Sequence, residues 1–447
     1  MDECGERAVP NGGWTWLIDD VVAGAWVDPS SGRRAPSAYD RIVIADTLAG
    51  REAGLIRDLR LGDRLAVVAD HATHVALGGR VAAALAALGP VETIILDRPH
   101  ADMASVRMLG ERLARASGVV AVGSGTVNDL CKYVTGLDNR RYCVFATAAS
   151  MNGYTSSTAS ITLDSGLKVS LPSHAPAGVF VDLEVAAAAP RHLAAAGFAD
   201  CLARSVAQVD WWMSHRLLDT EYFEAPYALQ HADEIELNRR AAGLADGDIA
   251  AHGYLFRVLT LCGLGIAFTG RSNHGSMGEH QISHYIDCFA GGAHPGTLHG
   301  QQVGVASLTM ARLQQRMLAD PAPPVVRPTV VDAGDMARRM GPDVAAQCLG
   351  EFRRKAFDAA GAERLNARLA GSWLALRAEC AAFVIPVEQM TRMLVAAGGP
   401  TTAAELGLDP VFYREAVVHS REMRNRFSFL DIAADAGTLP AFAAGER

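Results

Sequence analysis

The chain has 447 residues, of which 50% are hydrophobic and 20% are charged, so its composition excludes a mainly disordered protein and predicts a large buried core. Its formal net charge of -8 argues against a sequence-independent nucleic-acid binder, because such proteins need positive surface to release counterions. The eight cysteines include no C-x-x-C pair, which argues against a zinc knuckle and a disulfide framework.

The start of the chain predicts neither a secretory leader nor a membrane anchor. Its first residues, MDECGERAVP, contain acidic side chains and lead into no apolar segment. We find no run of about 18 residues that is apolar enough to span a bilayer. We therefore expect a cytoplasmic protein with reduced thiols and no membrane span. Residues 1–60, which include Trp14 and Trp16, are assigned no chemistry.

Residues 64–183 alternate short apolar strands with segments of helical pattern. Helices are predicted over residues 75–88 and 103–116. The predicted strands are RLAVVA (64–69), VETIIL (91–96), VVAV (119–122), YCVFA (142–146) and GVFVDL (178–183). This alternation predicts an α/β domain with a mostly parallel sheet that is covered by helices on both faces.

From about residue 186 the sequence changes to long segments rich in Ala, Leu and Arg at helical spacing, and convincing strands disappear. Four prolines between Pro321 and Pro328 mark a loop, and the helical pattern resumes at about Val331. We therefore predict two domains, an α/β nucleotide-binding domain over residues 1–185, with 1–60 as an extension, and an all-helical metal-binding domain over 186–447.

Two loops of small residues follow neighbouring predicted strands. In GSGTVNDLCKY, Gly123 and Gly125 lie between a strand and a helix, where glycines let backbone N–H groups approach a phosphate. Asn128 occupies the place of the third glycine in the dinucleotide pattern G-x-G-x-x-G, so a tight strand-to-helix turn remains an alternative. The second loop, residues 146–157, favours a nucleotide crevice, since both loops follow strands of one sheet.

Histidine is concentrated in one segment, because five of the 14 histidines lie between His274 and His299. His280 and His284 are four residues apart and share one face of a predicted helix, and His299 begins another. Two histidines from different helices complete a metal site when a carboxylate joins them, and the candidate is Asp200 in AAAGFADCLAR. Surface or capping histidines remain the alternative, since the spacing is not H-E-x-x-H.

Six segments in this order resemble the sn-glycerol-1-phosphate dehydrogenases, within the superfamily of iron-containing alcohol dehydrogenases and dehydroquinate synthases. The resemblance covers about residues 64 to 440. The segments are GSGTVNDLCKY, TAASMNGYTSS, AGFAD, GEHQISHYID, LHGQQVGV and RNRFSFLDIAADAG.

The resemblance implies a dehydroquinate synthase-like fold and a catalytic divalent metal, Zn²⁺, Ni²⁺ or Fe²⁺, held by Asp200, His280 and His299. His284 matches a residue that contacts the substrate, and as an imidazole it can also relay a proton. Asp200 and His284 are thus the implied catalytic residues, and both are expected to contact the substrate.

The resemblance also implies a nicotinamide cofactor, NAD(P)H, bound by the two loops. We expect Asp70, at the end of the first predicted strand, to accept hydrogen bonds from the adenosine ribose, although Asp is also a common turn residue. The other implied cofactor contacts are Gly123, Ser124, Gly125, Thr126, Val127, Asn128, Thr147, Ala148, Ala149, Ser150 and Ser156.

Two positions depart from the pattern of the family. Asn152 stands where a substrate-contacting Asp is usual, and an amide can form hydrogen bonds but carries no charge. Gln301 stands where superfamily members commonly have Glu, which removes a possible carboxylate next to the metal. Lys132 and Lys168 are interpreted as surface lysines rather than contacts of a substrate phosphate.

The implied activity is a metal-dependent, NAD(P)-linked interconversion of dihydroxyacetone phosphate and sn-glycerol 1-phosphate, in a homodimer that acts on a small phosphorylated or polyol substrate. Three alternatives stay open. They are a related polyol or alcohol dehydrogenase with another substrate, a lyase like dehydroquinate synthase, and a non-catalytic nucleotide-binding protein.

Overall fold

The computed structural model describes residues 9–10, 13–34 and 39–446. They group into two compact units that are discontinuous in sequence. The first comprises Met1–Asp164, Lys168–Cys201 and Glu224–Arg271, and the second comprises Ser165–Leu167, Leu202–Phe223 and Ser272–Arg447, apart from the residues that are not described. The domain boundary that the sequence suggests at residues 185/186 stays a prediction.

A six-stranded parallel sheet is the centre of the first unit. Its strands in chain order are β1 (Arg41–Ala45), β2 (Leu65–Asp70), β3 (Val91–Leu96), β4 (Gly118–Gly123), β5 (Tyr142–Ala146) and β8 (Gly178–Asp182), with β6 and β7 in a separate hairpin. The spatial order is β1-β8-β5-β4-β2-β3, and every pairing is parallel. The five predicted strands and the parallel α/β sheet are confirmed.

Sequence reasoning missed three strands. Strand β1, RIVIA, lies at the edge of the sheet and pairs with β8, with Ile42 opposite Val179. The hairpin consists of β6 (Thr158–Thr162) and β7 (Lys168–Pro172), which pair antiparallel. The hairpin strands contain several polar residues and are only partly buried, so they lack the apolar run that marks the central strands.

The helices of the first unit cover the sheet and continue beyond it. They are α1 (Ile18–Val22), α2 (Glu52–Leu59), α3 (His71–Thr73), α4 (Gly79–Leu85), α5 (Met103–Arg112), α6 (Gly125–Leu137), α7 (Leu183–Ala187), α8 (Arg191–Leu218, whose residues from Leu202 belong to the second unit), α9 (Ala225–Arg239), α10 (Ala241–Asp246) and α11 (Ile249–Thr269). The helix predicted over 75–88 is in fact a π-helical turn, His74–Gly78, followed by α4, and the helix predicted over 103–116 ends at Arg112.

Helix α11 corrects the expectation that no segment is apolar enough to span a bilayer. Ile249–Thr269 reaches a mean hydropathy of 1.5 over an 18-residue window, which satisfies the length and composition of a membrane helix. However, 83% of that window is buried within the structure, the pattern of a core helix.

Residues 13–34 belong to the first unit. The indole Nε1 of Trp14 donates to Asp46 at 2.9 Å. The fully buried guanidinium of Arg257 donates to the Trp16 carbonyl at 2.9 Å and forms an ion pair with Asp233 at 2.8 Å. These contacts attach the N-terminal segment to Asp46, which follows β1, and to helix α11, which the ion pair links to α9.

The second unit is helical. Its helices after α8 are α12 (Gly278–Phe289), α13 (His299–Ala319), α14 (Ala333–Met340), α15 (Pro342–Arg353), α16 (Ala359–Ala381), α17 (Val387–Ala396), α18 (Pro410–His419), α19 (Phe429–Asp435) and α20 (Leu439–Ala443). No strand occurs among the described residues after Asp182, and the proline-rich segment 321–328 is a loop between α13 and α14, as predicted. No disulfide links the seven cysteines within the described residues, and Cys4 lies outside them.

Candidate active site

Three side chains with metal-binding atoms come together from helices that are far apart in sequence. Asp200 lies on α8, His280 on α12, and His299 is the first residue of α13. One ligand atom from each lies within 4.8 Å of the others. One carboxylate oxygen and two imidazole nitrogens form a donor set that fits a divalent cation, and three protein ligands leave a coordination position open, as in catalytic centres.

A third imidazole lies beside this triad. The ring of His284 is 6.2 Å from that of His280 and 5.5 Å from that of His299, and the rings of His280 and His299 are 5.1 Å apart. His280 and His284 share a face of α12 because side chains four residues apart align along a helix. His284 is buried, so its imidazole is held close to the triad rather than in bulk solvent.

Each member of the triad has a hydrogen-bonding partner within the protein. The Nδ1 atom of His280 lies 2.8 Å from a carboxylate oxygen of Glu279, and the Nδ1 atom of His299 lies 3.0 Å from the hydroxyl of Ser283. With Nδ1 engaged in both rings, Nε2 is the nitrogen that a metal would take. The backbone N–H of Asn152 donates to a carboxylate oxygen of Asp200 at 3.1 Å.

The glycine loop forms the predicted strand-turn-helix. Gly123 ends β4, Ser124 precedes the first residue of α6, and α6 begins at Gly125. A Cβ atom on Gly123 would lie 2.6 Å from the Cβ of Val127, so the turn itself requires glycine whether or not a nucleotide binds. The first turn of this 13-residue helix presents backbone N–H groups of the kind that bind phosphate.

The side chains of this loop differ in what they offer a ligand. Val127 and Asn128 are fully buried, and the amide nitrogen of Asn128 donates to Asp129 at 3.2 Å. Ser124 and Thr126 are partly exposed. Val127 and Asn128 would therefore contact a cofactor through their backbone. Ser124 and Thr126 could also contact it through their hydroxyls.

The second loop lies next to the first. The N–H of Thr147 donates to the carbonyl of Gly123 at 3.2 Å, which places the two loops side by side at the carboxyl ends of β4 and β5. Thr147, Ala148 and Ala149 are buried, and Ser150 is partly buried. This is the edge of a parallel sheet where nucleotides generally bind.

Asp70 and Ser156 already have roles within the protein. A carboxylate oxygen of Asp70 accepts from the N–H of Thr73 at 2.8 Å and so caps α3. The hydroxyl of Ser156 donates to the carbonyl of Thr158 at 2.9 Å and accepts from the ammonium of Lys132 at 3.1 Å. Their expected contacts with the cofactor stay predictions.

The interpretation of Lys132 as a surface lysine is wrong. Its side chain is fully buried, and its ammonium donates to the carbonyls of Gly153 and Thr158 as well as to Ser156. Burial lowers the pKa of Lys132 to about 8, against the opposing effect of Asp129. Sequence reasoning missed this role because a single lysine on a helix carries no signal of its burial. Lys168, at the start of β7, is half-buried.

The two departures from the family pattern have different surroundings. Asn152 approaches the triad through its backbone N–H, which any residue type other than proline supplies. The side chain of Gln301 accepts from the N–H of Leu298 at 2.9 Å at the start of α13, where it stabilises the first turn of the helix that begins with His299.

Sequence comparison places these features in one family. Residues 43–190 match the family model described as iron-containing alcohol dehydrogenase. The chain is 34% identical over 272 residues to a protein of Methanothermobacter thermautotrophicus that is named glycerol-1-phosphate dehydrogenase, with NAD(P)+ as the stated cofactor. This match covers 61% of the chain and 75% of the relative. The chain belongs to the glycerol-1-phosphate dehydrogenase family.

The similarity to glycerol-1-phosphate dehydrogenases also extends over the greater part of the chain. A Bacillus velezensis protein with the same name is 26% identical over 422 residues, which cover 92% of this chain and 95% of that protein. Membership in the family that the six segments suggested is thereby confirmed.

Solved structures support the fold. A probable glycerol dehydrogenase from Sinorhizobium meliloti 1021 superposes with a TM-score of 0.60 at 17% identity, over 91% of this chain and 98% of that one. A 1,3-propanediol oxidoreductase gives a TM-score of 0.61 at 16% identity, over 91% and 97% of the two chains. At this identity the likeness shows a common fold and nothing finer, and it confirms the predicted fold class.

Proposed function

We propose that the protein is a metal-dependent, NAD(P)-linked oxidoreductase that interconverts dihydroxyacetone phosphate and sn-glycerol 1-phosphate. The observation that carries this proposal is the convergence of Asp200, His280 and His299, with His284 beside them. Membership in the glycerol-1-phosphate dehydrogenase family supplies the substrate, because relatives at 34% and 26% identity carry that name.

Asp200, His280 and His299 would hold the divalent cation, Zn²⁺, Ni²⁺ or Fe²⁺. When bound, the cation supplies Lewis-acid polarisation of the substrate carbonyl, and NAD(P)H supplies the hydride. The protein contributes the positions of these groups. The partners of the triad, Glu279 and Ser283 among them, hold the donor atoms in orientations that the fold sets in advance.

His284 is the proposed proton donor to the substrate oxygen. Its ring lies within 5.5 Å of that of His299, on the same helical face as His280. An imidazole changes protonation near neutral pH, so it can give up a proton during reduction and recover one during oxidation. Asp200 and Asn152 complete the proposed substrate contacts.

The proposed cofactor site is the pair of loops at the ends of β4 and β5. The N-terminal turn of α6 would face the pyrophosphate, with Asp70 towards the adenosine ribose. The protein has a net charge of -8, although its proposed substrate and cofactor are both anionic. Backbone amides, a helix end and the cation must therefore supply the positive potential at the site.

An activity assay tests the proposal directly. The purified protein is stripped of metal, loaded with Zn²⁺, Ni²⁺ or Fe²⁺, and given dihydroxyacetone phosphate with NADH or NADPH, whose oxidation is followed by absorbance. We expect turnover with at least one metal, and a loss of more than about 100-fold in kcat/KM for His280→Ala. His231→Ala, at an exposed position on α9, is the control and should retain activity.

Absence of turnover with every metal, or undiminished turnover in His280→Ala, would contradict the proposal.

A panel of polyols and their carbonyl forms, run with wild type and Asn152→Asp, tests whether the protein is a dehydrogenase with another substrate. The neutral side chain of Asn152 favours this alternative. NAD retained without net redox change would instead indicate a lyase, and failure to bind metal would indicate a nucleotide-binding protein. The homodimer and the cytoplasmic location stay predictions.

A further inference from the structure

A fully buried carboxylate lies directly behind one of the proposed metal ligands. Glu279 has 0% exposure and lies in the first turn of α12, next to His280 in sequence. One of its carboxylate oxygens is 2.8 Å from Nδ1 of His280 and also accepts from the N–H of Met277 at 2.7 Å. The carboxylate is therefore held in place by the backbone at the end of the helix where negative charge is favoured.

A second buried acid, Asp210, lies close to Glu279. Asp210 accepts hydrogen bonds from Gln314 and from the backbone N–H groups of Gly278 and Phe429. Burial first, and then the charge of Glu279, raise the pKa of Asp210 to about 8.

Within the described residues, neither acid forms an ion pair with a lysine or an arginine. The basic side chain that Glu279 contacts is the imidazole of His280, which is charged only when it is protonated. A buried carboxylate without a cationic partner reduces stability unless hydrogen bonds and a nearby positive charge compensate for it. A divalent cation bound by His280, Asp200 and His299 would supply a positive charge close to this carboxylate.

We propose that Glu279 is a positioning residue of the metal centre. It accepts the Nδ1 proton of His280, which fixes the tautomer whose Nε2 lone pair is directed to the metal, and its negative charge makes that nitrogen a stronger donor. This inference rests on the metal centre of the proposed function. It assigns the charged partner of the centre to Glu279, while Gln301, where superfamily members commonly have Glu, stabilises the start of α13.

The two histidine ligands differ in this respect. Nδ1 of His299 lies 3.0 Å from the hydroxyl of Ser283 and 3.9 Å from the carboxylate of Asp287, so the neutral hydroxyl is the closer of these two groups. Nδ1 of His280 is instead in direct hydrogen-bonding contact with a carboxylate. We therefore expect metal affinity to depend strongly on Glu279.

The test compares Glu279→Gln and Glu279→Ala with wild type. Glu422→Gln is the control, because Glu422 is also buried and lies 2.9 Å from Nδ1 of His419, which is not a proposed metal ligand, although Glu422 also pairs with Arg339 at 2.7 Å. Zn²⁺ affinity is measured by competition with a chelator, and the ligand geometry by the visible absorption of the Co²⁺ protein. The melting temperature of the metal-free protein is measured in parallel.

We expect Glu279→Gln to bind Zn²⁺ about 10- to 100-fold more weakly than wild type, with a changed Co²⁺ spectrum, and Glu279→Ala to bind at least as weakly. Glu422→Gln should retain wild-type affinity. The metal-free Glu279→Gln protein should melt near the wild-type temperature, because glutamine preserves the shape of the side chain and its amide oxygen can still accept from the N–H of Met277. A merely structural role would lower that melting temperature.

Wild-type Zn²⁺ affinity in Glu279→Gln would overturn the inference, as would a fall in the melting temperature of its metal-free form. Glu279→Gln decides the question even if Glu279→Ala does not fold, because glutamine preserves the shape of the side chain. A wild-type protein that binds neither Zn²⁺ nor Co²⁺ would overturn the metal centre together with this inference. If the wild-type protein binds metal and the variants bind it equally well, the inference about Glu279 is wrong but the metal centre is not contradicted.

Discussion

At the scale of single residues, Lys132 connects the glycine-loop helix to the segment that follows Asn152. Its ammonium donates to the carbonyls of Gly153 and Thr158, and it lies 4.0 Å from the carboxylate of Asp129. Burial is the largest influence on both groups, and it lowers the pKa of Lys132 and raises that of Asp129. Each shift disfavours the charged form of its group. The hydrogen bonds of Lys132 therefore stabilise the loop, while the burial of its positive charge lowers the free energy of unfolding.

This arrangement predicts a specific pH dependence of stability. Burial lowers the pKa of Lys132 from 10.5 to about 8, so between these values the unfolded chain binds the proton and the folded chain does not. The free energy of unfolding therefore rises with pH across this window. From pH 7 to pH 9.5, wild type should gain about 2 kcal/mol relative to Lys132→Met, measured by denaturant unfolding.

Lys168→Met is the control for this experiment, because Lys168 is only half-buried. It should follow the pH dependence of wild type. If Lys132→Met also followed wild type, Lys132 would not titrate in this window, and the proposed cost of its buried charge would be wrong.

At the scale of elements, the close approach of α8 to the loop after β5 positions Asp200. A Cβ atom on Gly197 would lie 1.8 Å from the carbonyl oxygen of Ala149, a distance that only glycine avoids. Asp200 follows three residues later on the same helix and accepts from the N–H of Asn152. The glycine therefore allows the helix to reach the loop, and the approach brings the carboxylate to its place.

We predict that Gly197→Ala lowers the free energy of unfolding by about 1–3 kcal/mol, because α8 must move away from the loop. The same displacement should weaken Zn²⁺ binding through Asp200.

Gly371→Ala in α16 is the matched control, since nothing lies within 4 Å of its Cβ position. It should raise stability by about 0.5–1 kcal/mol, as alanine does within helices. Denaturant unfolding measures the change in the free energy of unfolding of each variant. Equal changes in Gly197→Ala and Gly371→Ala would contradict the prediction.

At the scale of the whole molecule, the three proposed metal ligands lie on helices α8, α12 and α13, which are separated by long stretches of chain. A ligand that binds only the folded protein stabilises it in proportion to the logarithm of its concentration over Kd. The unfolded chain has no preformed triad, because its members are distant in sequence. We therefore expect metal binding to be coupled to global stability.

We predict that Zn²⁺ at 100 times its Kd raises the free energy of unfolding by about 2.7 kcal/mol, and that a chelator reverses the effect. Thermal unfolding with and without metal measures this. His280→Ala should melt at the same temperature in both conditions, because it lacks one ligand. Equal metal-dependent stabilisation of wild type and His280→Ala would show that the metal binds elsewhere.

The sequence by itself determined the central strands, because β2, β4, β5 and β8 are apolar runs that local pattern reveals. It also suggested the proposed metal triad, since the residues alone indicated His280, His299 and the candidate carboxylate Asp200. The family resemblance then implied that these three hold the metal. Only the tertiary structure decided the pairing of β1 with β8 and the formation of the polar hairpin.

The tertiary structure also decided the burial and the contacts of Lys132 and Glu279. A lysine on a helix and a glutamate beside a histidine have the same local pattern whether they face solvent or the interior. Their burial, and the contacts with Gly153, Thr158 and His280, depend on segments that folding brings together. Sequence periodicity reports the neighbours of a residue along the chain, whereas the energy of a buried charge depends on its neighbours in space.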